Sequence, residues 1–350
     1  MLKGLIVLKN FNESRTYEEA VAIHRQRVED SIEYYDKYIL GGGGAFFIRN
    51  CPFCGYDEFD EEEKFYDRYG VARCKRCNSL YVNPCPSQEL LNDYYAHAKC
   101  NSMLEKIYTE RDQKSKSDIL DSRVTFLADF INRMDESEIS LLEFGCSNGS
   151  FLRKLKTYLQ RIGIEKKIRF VGVDTNPDAI SSNNDSELEL HYGTAEDFLK
   201  SFDGVFNIIW HTELIEHIIS PYDLFTLARE KMSLGGFMIF TTPNEFALES
   251  RSLSYNVPRM LACSILPPMH LNAFSTLNIT NFAIRCGFGI VSIETPGKMD
   301  VEMLELQREN LNNDLARRII ALDDNEKELI QEILSSTGAS SHMRCVLKKL

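Results

Sequence analysis

The chain has 350 residues, a formal net charge of −12 at pH 7 and 43% hydrophobic residues. It is longer than one compact core usually allows, so two or three structural units are expected. The acidic balance argues against non-specific nucleic-acid binding, which needs an excess of Lys and Arg to neutralise phosphates. The sequence shows neither a signal peptide nor a run of eighteen apolar residues, so we expect a protein of the reducing cytoplasm without a membrane span.

The N-terminal part has an amphipathic helical pattern over residues 17–39, followed by four consecutive glycines at 41–44. Glycine runs have no preferred backbone conformation, so the sequence predicts a flexible hinge there. Residues 1–44 are therefore interpreted as an N-terminal helical unit. A helix of this kind suits docking or the formation of a homo-oligomer.

Two C-x2-C pairs, separated by nineteen residues, follow the glycines; they contain Cys51, Cys54, Cys74 and Cys77. This spacing is typical of a four-thiolate zinc site. Gly55 and Asn78 each follow the second cysteine of a pair, and both residue types adopt positive φ readily, as a loop around a metal requires. The segment is short and charged, so metal binding would supply much of its folding free energy. The sequence predicts a structural zinc ribbon at 45–90, followed by connecting helices at 91–136.

Residues 141–152, LLEFGCSNGSFL, combine an apolar run, an acid at Glu143, a glycine-containing turn and the start of a helical pattern. That order describes a strand that leads through a tight turn into a helix, where a ligand can lie against the main chain. A second strand-like run ends at Asp174, thirty-one residues after Glu143. An acid there is the usual partner of ribose hydroxyls in a doubly wound fold. Asp174 as the N-cap of the next helix is the alternative interpretation.

The turn lacks the third glycine of a dinucleotide fingerprint, so a nucleoside is a better fit than a pyrophosphate. Further strand-like runs and helical patterns alternate along the rest of the chain, which predicts an α/β unit at 137–350. It has two insertions. The first, 244–274, is expected above the carboxyl ends of the strands, where ligands bind in such folds. The second, 298–340, has the spacing of a packed helical pair.

The turn from Glu143 to Gly149 resembles motif I of the class I S-adenosylmethionine (SAM)-dependent methyltransferases, E/D-x-G-x-G-x-G, with Ser147 at the central glycine. Matching segments continue in the family's order to the end of the chain. The resemblance implies a Rossmann-like seven-stranded methyltransferase sheet with helices on both faces, preceded here by a small four-cysteine zinc ribbon and an N-terminal helix. It implies SAM as the cofactor. The residues expected to bind SAM are Glu143, Gly145, Cys146, Ser147, Gly149, Phe151, Asp174, Thr175, Thr194, Ala195, Glu196 and Trp210.

The combination of C-P-x-C-G, a second C-x-x-C and the segment LYVNP at 80–84 is similar to zinc-ribbon methyltransferases of bacterial surface-glycan and natural-product pathways. This resemblance covers about residues 50–350. It implies a small-molecule acceptor, a sugar or nucleotide-sugar, methylated at oxygen. A C- or N-methyltransferase remains an alternative, because motif I does not report the acceptor atom. A second alternative is a zinc-ribbon module that binds RNA or protein and carries a methyltransferase-like core.

The segment Glu213-Leu-Ile-Glu216-His217 resembles the metal site of small-RNA 2′-O-methyltransferases and of ubiquinone-pathway O-methyltransferases. In the RNA enzymes a further histidine completes the site, and His270 stands at a comparable place. Two carboxylates and two imidazoles could hold a second divalent cation, which would lower the pKa of a bound hydroxyl. Metal-free relatives use a histidine as general base instead, and here that would be His217, His211 or His270. A mainly structural role for this segment is the third alternative.

Overall fold

The computed structural model of the protein describes residues 17–40, 44–110, 114–257 and 263–350. The first three glycines of the predicted hinge and the first sixteen positions of the predicted N-terminal unit lie outside these segments. Within them, no helix combines the length and the apolar character that crossing a bilayer would require.

The strands in chain order are β1 (Phe46–Phe47), β2 (Phe59–Glu61), β3 (Val71–Cys74), β4 (Leu80–Val82), β5 (Cys85–Pro86), β6 (Glu138–Phe144), β7 (Lys167–Asp174), β8 (Leu188–Tyr192), β9 (Phe206–Thr212), β10 (Met232–Pro243), β11 (Asn272–Ala273), β12 (Phe288–Glu294) and β13 (His342–Lys349). The helices are α1 (Tyr17–Leu40), α2 (Gln88–His97), α3 (Lys99–Glu110), α4 (Lys114–Arg133), α5 (Ser150–Arg161), α6 (Pro177–Ser181), α7 (Ala195–Ser201), α8 (Pro221–Glu230), α9 (Leu248–Arg251), α10 (Asn278–Arg285), α11 (Asp300–Leu306), α12 (Asp314–Ile319) and α13 (Asp324–Ser336).

Seven strands form one mixed sheet in the order β12-β13-β10-β9-β6-β7-β8. The central pairs are parallel, whereas β13 runs antiparallel to both β10 and β12. The predicted Rossmann-like seven-stranded sheet is confirmed. Because β13 is reversed, its first residue lies at the same edge as the last residues of β6, β7, β9 and β10.

Helices cover both faces of this sheet because its strands are apolar on both faces, as expected of buried parallel strands. On one face Leu141 and Trp210 pack with Leu127 of α4 and Leu155 of α5. On the other face the core is continued by residues of α7, α8 and α10, including Phe198, Phe225 and Phe282. The site residues that follow the strands are therefore held by a core on each side.

The ribbon segment forms its own four-stranded sheet, in the order β11-β4-β3-β2. One edge of that sheet is β11, which belongs to the predicted insertion at 244–274 and pairs with β4 through Asn272 and Tyr81. The insertion therefore joins the ribbon to the large sheet. The predicted ribbon, which ends at residue 90, therefore lacks one strand of its own sheet, because β11 comes much later in the chain.

Two ribbon residues tie the small sheet to the rest of the protein. The guanidinium of Arg49 donates to the carbonyls of Ile219 at 2.5 Å and Leu271 at 3.0 Å. Phe53 is 2% exposed and packs edge-to-face against Phe274, with 4.9 Å between ring centroids. These contacts place the ribbon in the same hydrophobic core as the large sheet.

The helix predicted for residues 17–39 is confirmed as α1, which packs against other parts of the same chain. Asp30 accepts a hydrogen bond of 2.7 Å from the backbone N–H of Cys100 at the start of α3. Ser31 donates to the carbonyl of Pro267 and accepts, through its own carbonyl, the hydroxyl of Tyr69 at 3.1 Å. The helix therefore contacts both the ribbon and the insertion.

We predict that Phe53→Ala destabilises the whole chain by about 3–5 kcal/mol, the usual loss for a buried aromatic side chain. Because Phe53 lies in the shared core, the ribbon and the large sheet should unfold in one transition, measured by urea denaturation. Phe47→Ala is the control, since Phe47 is 41% exposed and its loss should be small. A separate early transition of the ribbon would contradict the shared core.

Candidate functional site

The loop after β6 lies against the end of β7. The backbone N–H groups of Gly145 and Cys146 both donate to the carbonyl of Val173, at 2.9 and 3.2 Å. The carboxylate of Asp174 accepts the N–H of Ser147 at 2.7 Å and that of Asn176 at 2.8 Å. The structure therefore brings the predicted loop and the predicted acid together at one edge of the sheet.

Asp174 does not cap the following helix. The side chain of Asn176 caps α6, accepting the N–H groups of Asp178 and Ala179, so the alternative interpretation of Asp174 is wrong. The carbonyl of Asp174 also accepts the N–H of Gly193 at 3.0 Å. That bond places the start of α7, with Thr194, Ala195 and Glu196, beside the end of β7.

Positive φ angles explain the residue choice in this loop. Gly145 has φ +70°, and a Cβ added there would meet nothing within 4 Å, so the space over this glycine is open. Gly149 has φ +76°, and a Cβ there would lie 3.0 Å from the side chains of Leu188 and Leu190. Ser147, where motif I has its central glycine, also has positive φ, +51°. Such a conformation costs a serine free energy, but its N–H is held by Asp174.

The loop amides are largely used within the protein. Besides those of Gly145, Cys146 and Ser147, the N–H of Gly149 donates to Cys146 and that of Ser150 to the side chain of Asn148. A phosphate-binding loop needs these donors free for the ligand. The geometry therefore favours a ligand that packs on the open surface of the loop over one that presents a phosphate.

Glu143, at the end of β6, is 5% exposed, and its Oε2 atom has no hydrogen-bond partner among the described residues. Burial raises the pKa of this carboxyl well above its usual value, and the nearby charge of Asp174 adds to the rise. An unpaired carboxylate oxygen inside a protein is costly. A cationic group bound beside it would remove that cost.

Three other residues predicted to bind SAM have buried side chains near the loop. The rings of Phe151 and Trp210 stack with centroids 5.2 Å apart and an angle of 5° between planes. Both side chains are in the core, as is that of Cys146. Thr175, by contrast, is exposed beside Asp174.

A second group of polar side chains lies after β9. Ligand atoms of Glu216, His217 and His270 all lie within 4.8 Å of one another. Glu216 and His217 belong to a single 3-10 turn (Ile215–His217), and His270 comes from the insertion at 244–274. The N–H of Leu271 donates to the carbonyl of Glu216 at 2.8 Å, which fixes the insertion against that turn.

Hydrogen bonds orient each member of this group. Thr242 donates to Oε2 of Glu216 at 2.9 Å, while Oε1 makes no hydrogen bond among the described residues and lies 3.8 Å from Nε2 of His217. Nδ1 of His270 lies against the carbonyl of Cys263 and must donate to it, so Nε2 keeps its lone pair. Nδ1 of His217 shares a hydrogen bond of 2.8 Å with the hydroxyl of Tyr95.

Burial sets the charge state of the two histidines. Together with the positive charge of Arg27, it lowers the pKa of His270 to about 4 and that of His217 well below its usual value. Both imidazoles are therefore neutral near pH 7. A neutral imidazole can accept a proton or bind a metal ion.

Glu213, predicted with this group, has other partners. Its Oε1 accepts the hydroxyl of Thr241 at 2.8 Å, and its Oε2 lies 3.2 Å from Nε2 of His342 at the start of β13. Burial opposes ionisation of both groups, but their mutual attraction outweighs it, lowering the pKa of Glu213 to about 2 and raising that of His342 to about 9. Glu213 also has φ +49°, a strained conformation of the kind found at functional sites.

His211 belongs to the core and not to this group. Its ring is stacked 4.8 Å from Phe240 and also lies parallel to Phe144, 6.2 Å away, and it has no exposed surface. Burial lowers the pKa of His211 to about 3. Of the three predicted histidine bases, the structure brings only His217 and His270 together.

Several polar residues near the site were missed by the sequence analysis, including Arg123 of α4, whose charge acts on Glu143 and Glu213. Others come from segments distant along the chain, Arg27 in α1, Tyr95 in α2 and His342 in β13. For His342 a signal existed, since the first residue of a reversed strand must lie at the edge where the parallel strands end. Arg27 and Tyr95 lie on helices whose position the sequence did not predict.

The four ribbon cysteines are brought together as predicted. The Sγ atoms of Cys51 and Cys77 are 3.5 Å apart, as are those of Cys54 and Cys74. A tetrahedral zinc ion with bonds of about 2.3 Å would hold sulfurs at about 3.8 Å, so these residues could hold zinc. Gly55 and Asn78 have φ of +75° and +58°, which confirms the predicted turns.

Comparison with known families agrees with this geometry. The sequence model of a methyltransferase domain family matches residues 119–293, half of the chain. The chain belongs to this methyltransferase family. It is a SAM-dependent methyltransferase, as the resemblance to motif I implied. The match includes β6 to β12 but neither the ribbon nor β13. No curated protein matches the sequence.

Solved structures similar to the methyltransferase include a SAM-dependent methyltransferase from Archaeoglobus fulgidus, with 19% identity, a TM-score of 0.44 and coverage of 66% of this chain and 94% of that one. Another, from Mesorhizobium loti, has 14% identity, a TM-score of 0.41 and coverage of 66% and 100%. The plantazolicin methyltransferase BamL, solved with a triazolic desmethylPZN analogue and SAH, has 14% identity, a TM-score of 0.47 and coverage of 74% and 93%. The family assignment rests on the sequence model and not on these distant similarities.

The Glu213–His342 pair predicts a pH-dependent stability. The pair's contribution to the free energy of unfolding should be greatest between about pH 4.5 and 6.5, the ordinary pKa values of glutamate and histidine in an unfolded chain. It is lost as the pH rises through about 9, where His342 loses its proton, or falls through about 2, where Glu213 gains one. His342→Gln should therefore destabilise the methyltransferase more at pH 6 than at pH 9.5. Because each side chain is about one third exposed, we expect a difference of about 1 kcal/mol or less.

The measurement is urea denaturation at the two pH values. His191→Gln is the control, since His191 is exposed on the edge strand β8 and its replacement should cost little at either pH. Equal destabilisation by His342→Gln at pH 6 and pH 9.5 would contradict the ion pair.

Proposed function

We propose that this methyltransferase transfers a methyl group from SAM to a hydroxyl of a small acceptor, a sugar or nucleotide-sugar-like metabolite of surface-glycan biosynthesis. The observation that supports this most is the convergence of two polar groups at one edge of the sheet. Glu143 and Asp174 follow β6 and β7, and the Glu216, His217 and His270 cluster follows β9. A methyl donor and its acceptor must meet in this way.

In the donor site, the sulfonium of SAM supplies an already activated methyl group. The carboxylate of Asp174 would accept the ribose hydroxyls, and the open surface over Gly145 would receive the methionine part. Glu143 would pair its free oxygen with the methionine ammonium. Thr194, Ala195 and Glu196, beside Asp174, would border the adenine.

In the acceptor site, the chain has to orient a hydroxyl and remove its proton, because sugar hydroxyls are weak nucleophiles. We propose His270 as the general base, since its Nδ1–H is committed to Cys263 and its Nε2 lone pair is free. His217, oriented by Tyr95, would position the hydroxyl or share the proton. Glu216 would stabilise the imidazolium that forms.

A divalent cation at Glu216, His217 and His270 is the second candidate. Two imidazole nitrogens and a carboxylate oxygen form a donor set that suits several transition metals, and the unpaired Oε1 of Glu216 fits a cation. The positive charge of Arg27, which acts on both histidines, disfavours a second cation there. We therefore prefer the metal-free base.

For the ribbon we propose a structural zinc ion bound by Cys51, Cys54, Cys74 and Cys77. Its position in the shared core means that the ion would stabilise the insertion that contains His270. The proton-accepting cluster favours oxygen over carbon as the methylated atom, but an amine would also fit it. Methylation of nitrogen or carbon therefore remains the alternative reaction.

The donor site predicts a specific loss of binding. Asp174→Ala should weaken SAM and SAH binding by at least tenfold, because it removes charged hydrogen bonds worth about 1.5–3 kcal/mol each. Asp178→Ala is the control, as Asp178 is exposed in α6 four residues away and should bind as the wild type does. The measurement is calorimetric titration with SAH. Wild-type affinity of a folded Asp174→Ala protein would show that the ribose lies elsewhere.

Metal content separates the two acceptor-site candidates. With a metal-free base, purified protein should contain one zinc per chain by elemental analysis, and Cys54→Ser should lower it. His270→Ala should leave it unchanged, like the control His97→Ala, which alters an exposed histidine of α2. A second divalent metal that disappears in His270→Ala alone would establish the metal site and contradict the metal-free base.

A further inference from the structure

Helix α1 presents one basic side chain to the acceptor site. Its inward face is defined by Ile23, Asp30 and Ser31, none of which is more than 1% exposed. Arg27 lies one turn before Ser31, on the same face of the helix. Ser31 contacts the carbonyl of Pro267, three residues before His270. Arg27 is therefore directed towards the segment that holds His270.

Contacts and charge effects indicate which parts of the chain surround Arg27. Asp30, three residues further along α1, reaches Cys100 at the start of α3. The charge of Arg27 acts on Tyr95 in α2 and on His217 and His270 at the acceptor site. Arg27 therefore lies within electrostatic range of both α2 and the cluster.

Within the described segments, Arg27 has no carboxylate partner. Asp30, three residues further along the same helix, already accepts Gln26 at 2.9 Å and the N–H of Cys100 at 2.7 Å. The Nε atom of Arg27 is buried and makes no hydrogen bond with these segments. The two imidazoles beside it are neutral. A half-buried cation without a counter-ion is unusual in a chain with a net charge of −12.

We propose that Arg27 binds an anionic group of the methyl acceptor, a phosphate or a carboxylate, next to the hydroxyl that is methylated. This rests on the proposed function of the same site. The planar guanidinium fork matches both groups in two parallel hydrogen bonds. Tyr95, which the charge of Arg27 reaches, is 42% exposed, so a ligand can approach from this side. The N-terminal helix would thus select the acceptor.

The test observes Arg27 directly. Arginine Nε–H signals of the full-length protein are followed by NMR during titration with inorganic phosphate and, separately, with acetate, at constant ionic strength. The Arg27 signal is identified by its absence in Arg27→Gln. Arg25→Gln identifies the control signal, since Arg25 is exposed on the same helix two residues away.

We expect a saturable shift of the Arg27 signal, with an affinity at least tenfold higher than that of the Arg25 signal, for at least one of the two anions. A response to phosphate alone would indicate a phosphorylated acceptor such as a nucleotide-sugar, and a response to acetate alone a sugar acid. A response equal to that of Arg25 for both anions would overturn the proposal. The titration is run with and without SAH. Loss of SAH binding with an intact Arg27 response would contradict the donor site only.

Discussion

The parallel register of β6, β7 and β9 determines where this site forms. Register aligns Glu143 with Trp210 and Phe144 with Val173, so the residues that follow these strands leave the sheet at one edge. That alignment places three features at the same edge: the loop after β6, Asp174, and the turn with Glu216 and His217. The reversed strand β13 adds His342 from the far end of the chain. A one-residue shift of any strand would move its side chains to the opposite face of the sheet and displace the residues that follow it.

The parts outside the large sheet surround the cluster of Glu216, His217 and His270, the proposed acceptor site. The ribbon shares a core with the sheet through Phe53 and supplies the strand on which β11 pairs. That pairing holds the segment with His270 against the turn that contains His217. Helix α1 then covers the same region through Ser31. The four-cysteine ribbon and the N-terminal helix, which look like separate units in the sequence, thus pack around one region of the structure.

Sequence patterns were sufficient to predict a group of site residues when its members are adjacent in the sequence. The C-x2-C pairs, the turn at Gly145 and the acid at Asp174 are each defined by a few adjacent residues, and the structure brings together the members of each group. Long-range packing was not predictable. Glu213 and Glu216 are three residues apart, yet a positive φ at Glu213 turns its carboxylate to His342. His211 looks like a base in the sequence, but its position in the strand places it among aromatic rings. No local pattern indicated that Arg27 faces the cluster.

The central claim is that donor and acceptor meet at the carboxyl edge of the sheet, and a crystal structure with bound SAH tests it most directly. We expect the ribose hydroxyls within hydrogen-bonding distance of the Asp174 carboxylate, the homocysteine over Gly145, and the sulfur directed towards His217 and His270. SAH bound at another surface, or with its sulfur directed away from these histidines, would contradict the claim.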